Sequence, residues 1–167
     1  MNSKQIERLL WANKWTRVNF MGCYAADQIP TEIIKFPSSL IINLDTKDKP
    51  GSHWVAVYIK NKSHAYYFDS FGPLNCLNPS NIKPDQNCIT GPNSNIYNFL
   101  KVFEHLLLNK SIYQSIFSHN CGYFCIFFIY SMSIGKSFSN TVSTLDRQDN
   151  PNYFVFKFVQ DIIKANK

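Results

Sequence analysis

The sequence has no long hydrophobic run, no paired cysteine motif and few acidic residues. Its longest apolar stretch, Tyr123 to Tyr130, is too short to span a bilayer. Glu7 and Arg8 lie where a secretion signal would be apolar. We therefore expect a protein that is neither secreted by this route nor integral to a membrane.

The cysteines are an odd and irregularly spaced set. There are five, without any CxxC pair: Cys23, Cys76, Cys88, Cys121 and Cys125. Such a set argues against a disulfide framework and for reduced thiols in a cytosolic or nuclear compartment.

The charge balance is basic but dispersed. Lys and Arg number 17 against 11 acidic residues, which gives a formal net charge of +6. No run of five basic residues occurs, so a solvated surface is favoured over a dedicated nucleic-acid groove. Weak, non-specific attraction to DNA is the most that this charge predicts.

Length and composition favour one domain over residues 1–167. A chain of this length is within the usual range of a single domain, and hydrophobic residues make up 45% of it. That fraction is ample for a folded core.

Periodicity predicts a sheet covered by helices. Two runs rich in β-branched and aromatic residues, 53–60 and 64–72, flank a polar tip and indicate a hairpin. Both runs are largely apolar on both faces, which predicts an α/β or α+β sandwich with helices packed against both sides of the sheet. Of the two we expect α+β. Further predicted strands cover 38–44 and 111–117, predicted helices cover 3–14, 94–109, 121–132 and 151–164, and 20–30 and 73–95 are predicted to be irregular.

The hairpin suggests a pairing of two polar side chains. If its loop is centred on Asn61, His53 and Asp69 face each other across the strands, close enough for a carboxylate to accept a hydrogen bond from the imidazole. The alternative is that both residues border the strands and are solvated. A register error of one residue would destroy the pairing.

Three interpretations of Cys121 follow from its surroundings. It could be a buried core thiol, a zinc ligand with His119 and Cys125, or a nucleophile. Because an apolar helix is predicted to begin there, the sulfur would lie at the positive end of the helix dipole, which lowers a thiol pKa. Cys125, one turn further on, is expected to be a buried structural thiol.

Four segments taken together resemble one family of enzymes. They are GSHW at 51–54, YYFDSFG at 66–72, Gln114 seven residues before Cys121, and CGYFC at 121–125. In order and spacing they resemble the adenovirus-type maturation cysteine proteases, called adenains, and more distantly the proteases that process ubiquitin-like modifiers. NFMGCYAADQIP resembles the family's N-terminal loop, and the similarity covers about residues 19–137.

The resemblance implies a papain-like or adenain-like fold, a central mixed sheet with helices on its faces and the catalytic cysteine at the N-terminus of a buried helix. It also implies roles for four residues. Cys121 would be the nucleophile, His53 the general base, Asp69 the residue that orients His53, and Gln114 a donor to the oxyanion hole. Adenovirus enzymes mostly carry Glu at the orienting position, where this chain has the shorter Asp69.

The function implied by the resemblance is a monomeric cysteine endopeptidase that cleaves virion precursor proteins during particle maturation. It would act in the virion and the infected cell, encoded by a virus or mobile element such as a virophage. No cofactor is required, but DNA or a viral peptide could activate it; Cys88 does not match the spacing of the peptide-linked cysteine. The alternatives are a deconjugase for a ubiquitin-like protein and a non-enzymatic nucleic-acid-binding module of the same fold.

Overall fold

A five-stranded mixed sheet forms the centre of the computed structural model, which describes residues 1–72 and 94–165. The strands are β1 (Phe20–Ala25), β2 (Ser38–Asn43), β3 (Trp54–Ile59), β4 (His64–Phe68) and β5 (His105–Leu108). They lie side by side in sequence order. The outer pairs β1–β2 and β4–β5 are parallel, and the two inner pairings are antiparallel.

Helices lie on both faces of this sheet, as the sequence predicts. They are α1 (Ser3–Ala12), α2 (Ser94–Leu100), α3 (Cys121–Ser133), α4 (Phe138–Asp146) and α5 (Pro151–Ala165), with a 3-10 turn at Ala26–Gln28. One apolar cluster joins α1, α3, α4 and α5 to one face of the sheet. The other cluster joins α2 to the opposite face.

Helix α3 is buried because it is apolar all round. A helix without a polar face can only be stable inside a core. It packs against β3 on one side and contacts α1, α4 and α5 on others. Phe128 of α3 stacks on Phe68 of β4 with ring centroids 5.0 Å apart, and both side chains are fully buried.

The ends of the last two helices are fixed by short polar side chains. Ser137 accepts a hydrogen bond from the backbone of Asn140 and caps α4, a helix that we did not predict. Asn150 accepts one from the backbone of Tyr153 at 3.0 Å, and Pro151 is the first residue of α5, as predicted.

Most of the segment 20–30 is not irregular, contrary to the prediction from sequence. Residues 20–28 form β1 and the 3-10 turn, and only Ile29 and Pro30 lie outside both. The pairing of β1 with β2 shifts register between Phe20 and Gly22, which obscures the alternation that would identify a strand. Glu7 of α1 also accepts the Cys23 backbone N–H at 3.0 Å, so tertiary contacts define this strand.

Two predictions in the segment before α3 are also wrong. The predicted helix 94–109 ends at Leu100, because His105–Leu108 pairs in parallel with β4. The predicted strand 111–117 is not a strand, since Tyr113 and Gln114 both donate their backbone N–H groups to Ser70 rather than to a neighbouring strand. The predicted loop 73–95, with Cys76 and Cys88, lies almost entirely outside the described residues.

Within the residues described, no helix combines the length and the apolar character needed to cross a membrane.

The aromatic contact between α3 and the sheet gives a stability prediction. Phe128→Ala should lower the free energy of unfolding by about 3–5 kcal/mol, because it leaves a cavity between β4, α3 and α4. Urea unfolding measures this change. Phe117→Ala is the control, since Phe117 is 89% exposed, and it should change stability by no more than about 0.5 kcal/mol. Equal effects of the two substitutions would contradict this description of the core.

Candidate active site

Four polar residues meet where β3 begins, β4 ends and α3 begins. His53 directly precedes β3, Asp69 directly follows β4, and Cys121 is the first residue of α3. Gln114 lies in the segment that leads into α3. His53, Asp69 and Gln114 are buried although they are polar, and Cys121 is partly buried. Because buried polar groups need partners, their contacts define the site.

The strand register predicted for the hairpin is wrong. The observed pairing sets Ala56 opposite Phe68, so its continuation places Asp69 beside Val55 rather than beside His53. His53 is then two residues further along the same face of the sheet, since side chains alternate between faces. The two side chains are therefore diagonal neighbours, and they still meet.

The His53 imidazole is held by the Asp69 carboxylate. His53 Nε2 and Asp69 Oδ1 are 2.6 Å apart, and both side chains are almost entirely shielded from water. Because Nε2 bears the proton in this bond, the carboxylate fixes the ring orientation and leaves Nδ1 for another partner. Nδ1 is buried and makes no hydrogen bond to any of the described residues.

Asp69 is itself fixed by Asn109, a residue that the sequence analysis did not identify. Asn109 follows β5 and is 2% exposed. Its side-chain oxygen accepts the Asp69 backbone N–H at 2.9 Å, and its side-chain nitrogen donates to the Asp69 carbonyl at 2.7 Å. Only the parallel pairing of β4 with β5 brings these residues together, so no local sequence signal predicts the contact.

The residue after Asp69 connects this turn to Gln114. Ser70 donates its hydroxyl proton to Gln114 Oε1 at 2.6 Å, and its carbonyl accepts the Gln114 backbone N–H at 2.9 Å. Gln114 Nε2 donates to the Ser118 carbonyl at 2.9 Å. An amide nitrogen carries two protons, so Gln114 has a second N–H to offer. The side chain also lines the cleft that contains His53 and Cys121.

The Cys121 thiol is more acidic than an ordinary cysteine. Burial acts to raise its pKa, but the nearby His53 imidazole and the backbone N–H groups of Trp54 and Gly122 stabilise the thiolate, outweigh burial and lower the pKa below its usual value. Helix N-termini favour negative charge in the same direction. A thiolate is the nucleophilic form of cysteine.

The His53 imidazole is more basic than usual. Burial acts to lower its pKa, but the hydrogen bond to Asp69 and the nearby charges of Asp69 and Cys121 raise it to about 9. The lowered pKa of Cys121 and the raised pKa of His53 both favour the form of the pair in which the thiol is ionised and the imidazole is protonated.

The other described cysteines are unlike Cys121. Cys125 is buried and donates to the Trp54 carbonyl at 3.3 Å, and burial raises its pKa well above the usual value. Burial and the nearby Glu7 likewise raise the pKa of Cys23. Within the described part of the chain, no group of three or more His, Cys, Asp or Glu side chains is arranged to hold a metal ion.

A cleft of about 730 Å³ opens onto the site. Besides His53, Gln114 and Cys121, it is lined by residues from the start of α1, the end of β1 and the loop after β2. Gly51 in that loop has φ +89°, and a Cβ there would lie 2.7 Å from the Asn43 amide nitrogen. Glycine is thus required two residues before His53.

The acidity of Cys121 is measurable by alkylation. At neutral pH, iodoacetamide should modify Cys121 faster than Cys23, which lines the same cleft but has a raised pKa. His53→Ala should slow modification of Cys121 by about tenfold for each unit by which the thiol pKa rises. Peptide mass spectrometry reads both sites in one sample. Equal rates at the two cysteines, or no effect of His53→Ala, would contradict the pairing of His53 with Cys121.

Comparison with known proteins identifies the family. The family described as adenovirus endoprotease matches residues 20–147, which is more than half of the chain and contains His53, Asp69, Gln114 and Cys121. The comparison with curated proteins found no match. The chain therefore belongs to the adenovirus endoprotease family and is a cysteine peptidase that acts on protein.

Proposed function

We propose that this protein is a cysteine endopeptidase that cleaves virion precursor proteins during particle maturation. Cys121 serves as the nucleophile, His53 as the acid and base, Asp69 as the group that orients His53, and Gln114 as an oxyanion donor. The observation that carries the proposal is an acidic thiol at the start of α3, beside an imidazole whose far nitrogen is held by a carboxylate. Membership in a family of cysteine peptidases supports it.

The first step is attack by the Cys121 thiolate on the scissile carbonyl carbon. A carbon–sulfur bond forms, and the carbonyl electron pair moves onto oxygen. The Cys121 backbone N–H is free to bind this oxyanion because the first N–H groups of a helix have no partner within the helix. The second N–H of Gln114 is the other donor, and losing one such donor typically costs about 10²–10³ in rate.

The imidazolium of His53 supplies the proton that the leaving group needs. It donates from Nδ1 to the amine nitrogen as the carbon–nitrogen bond breaks, which leaves a thioester on Cys121 and a neutral imidazole. Water then attacks the thioester while His53 accepts its proton. Collapse of the second intermediate releases the carboxyl product and restores the thiolate and imidazolium.

A choice between two substrate classes tests the proposal. The purified protein should cleave recombinant capsid precursors at defined peptide bonds, and Cys121→Ala should abolish cleavage because the nucleophile is lost. Cys125→Ala is the matched control, since that thiol lies one turn away and should leave cleavage in place. Mass spectrometry of the products identifies the bonds. Cleavage of ubiquitin-like precursors alone would instead favour a deconjugase, and no cleavage of either class would refute peptidase action.

The pH dependence of kcat/KM tests the roles of the ion pair. The active form has His53 protonated and Cys121 ionised. Activity should therefore fall at alkaline pH as His53 loses its proton at about pH 9, and at acid pH as Cys121 gains one. Asp69→Asn removes a charge that raises the His53 pKa, so the alkaline limb should move to lower pH.

Asp161→Asn is the control for that measurement, because Asp161 is an exposed carboxylate on α5 paired with Lys164. It should leave the alkaline limb unchanged. An alkaline limb that stays in place in Asp69→Asn would contradict the role given to Asp69.

A further inference from the structure

The ring of Phe71 lies against the His53 imidazole. The two ring centroids are 4.7 Å apart and the planes are tilted by 37°. His53 and Asp69 are 7% and 4% exposed, whereas Phe71 is 38% exposed and lines the cleft. His53 and Phe71 both line the cleft, and Phe71, the more exposed of the two, packs against the imidazole there.

The backbone of Phe71 contacts the other member of the pair. Its N–H donates to Asp69 Oδ1 at 2.8 Å, and this is the same oxygen that meets His53 Nε2. The next residue, Gly72, has φ +93° and donates its N–H to the Asp69 carbonyl at 3.0 Å, which closes the turn. One short turn thus fixes both the carboxylate and the ring that packs against its imidazole partner.

We propose that Phe71 is a positioning residue for catalysis. Its ring restrains the imidazole in the plane in which Nε2 meets Asp69 and Nδ1 faces Cys121, and it excludes water from the His53–Asp69 hydrogen bond. Water competes for buried donors and screens charge, so its exclusion strengthens the bond. The catalytic consequence rests on the proposed peptidase function, but the effect on the hydrogen bond does not.

Phe71→Ala isolates the contribution of the ring, because the backbone N–H that contacts Asp69 is retained. Proton NMR of the whole protein should show faster solvent exchange of the His53 Nε2 proton in this variant. With a capsid precursor as substrate, kcat should fall roughly 3- to 10-fold, the range expected for the loss of an aromatic pair. Phe71→Trp, which restores a ring, should recover both properties.

Phe156→Ala is the matched control. Phe156 lies on α5 and is 43% exposed, and its ring makes a tilted contact with Tyr123 of α3, with ring centroids 5.6 Å apart. It does not line the cleft. This variant should show wild-type proton exchange and kcat. Phe71→Leu, which keeps apolar volume without a planar ring, replaces Phe71→Ala if the smaller residue prevents folding.

The outcomes separate this proposal from its alternatives. Wild-type exchange of the His53 proton in Phe71→Ala would overturn it, as would an equal change in Phe156→Ala. A raised KM with unchanged kcat and exchange would also overturn it, because Phe71 would then only contact substrate. A wild-type protein without peptidase activity would refute the proposed function, yet the exchange measurement would still decide whether Phe71 protects the hydrogen bond.

Discussion

The buried hydrogen bond between His53 and Asp69 is the constraint on which the site depends. His53 Nε2 is 2.6 Å from an Asp69 carboxylate oxygen and is engaged in that hydrogen bond. Only Nδ1 of the ring can therefore interact with Cys121. The raised pKa of the imidazole and the lowered pKa of the thiol both follow from this arrangement. Without the carboxylate, the imidazole could rotate and the thiol would lose the partner that offsets its burial.

The sheet makes this bond possible by bringing distant segments to one edge. His53 directly precedes β3, and Asp69 directly follows β4, which is antiparallel to β3. The two residues therefore lie at the same edge of the sheet. Parallel pairing of β5 with β4 adds Asn109, which holds the Asp69 backbone through two hydrogen bonds. The position of Asp69 is therefore fixed by the same strand pairing that stabilises the sheet. A shift of β5 would also displace Asp69.

Helix α3 must approach the same edge, and its burial ensures that it does. Its apolar surface packs on the sheet and on three other helices, so its first residue has little freedom to move. Gly122 contributes to this approach, because a Cβ there would lie 3.3 Å from the Ile6 side chain of α1. Because the core fixes the position of Cys121, few further contacts are needed to hold its sulfur at the site.

Sequence patterns predicted the parts of this structure that depend on local information. The hairpin, the buried helix at Cys121 and the Pro151 helix start follow from periodicity and capping residues. The register did not, because the turn contacts of Asn61 with Ser63 and His64 centre the hairpin one residue further on. The roles of Asn109 and Ser70, and strands β1 and β5, depend on long-range pairing that no local pattern encodes.

The contact between His53 and Asp69 also survived the wrong register for a physical reason. A shift of two positions preserves the face of a strand, so a long imidazole still reaches the carboxylate diagonally. The order of His53, Asp69, Gln114 and Cys121 along the chain, together with their flanking residues, identified the family. Spacing alone favoured a buried core thiol for Cys121.

The most direct test of the account is an NMR titration of the His53 imidazole nitrogens in the substrate-free protein. The account predicts that His53 stays protonated until about pH 9 and that Cys121→Ala lowers its pKa, because the thiolate charge that favours the imidazolium is removed. Titration near the ordinary value of about 6.5, unchanged in Cys121→Ala, would contradict the ion pair.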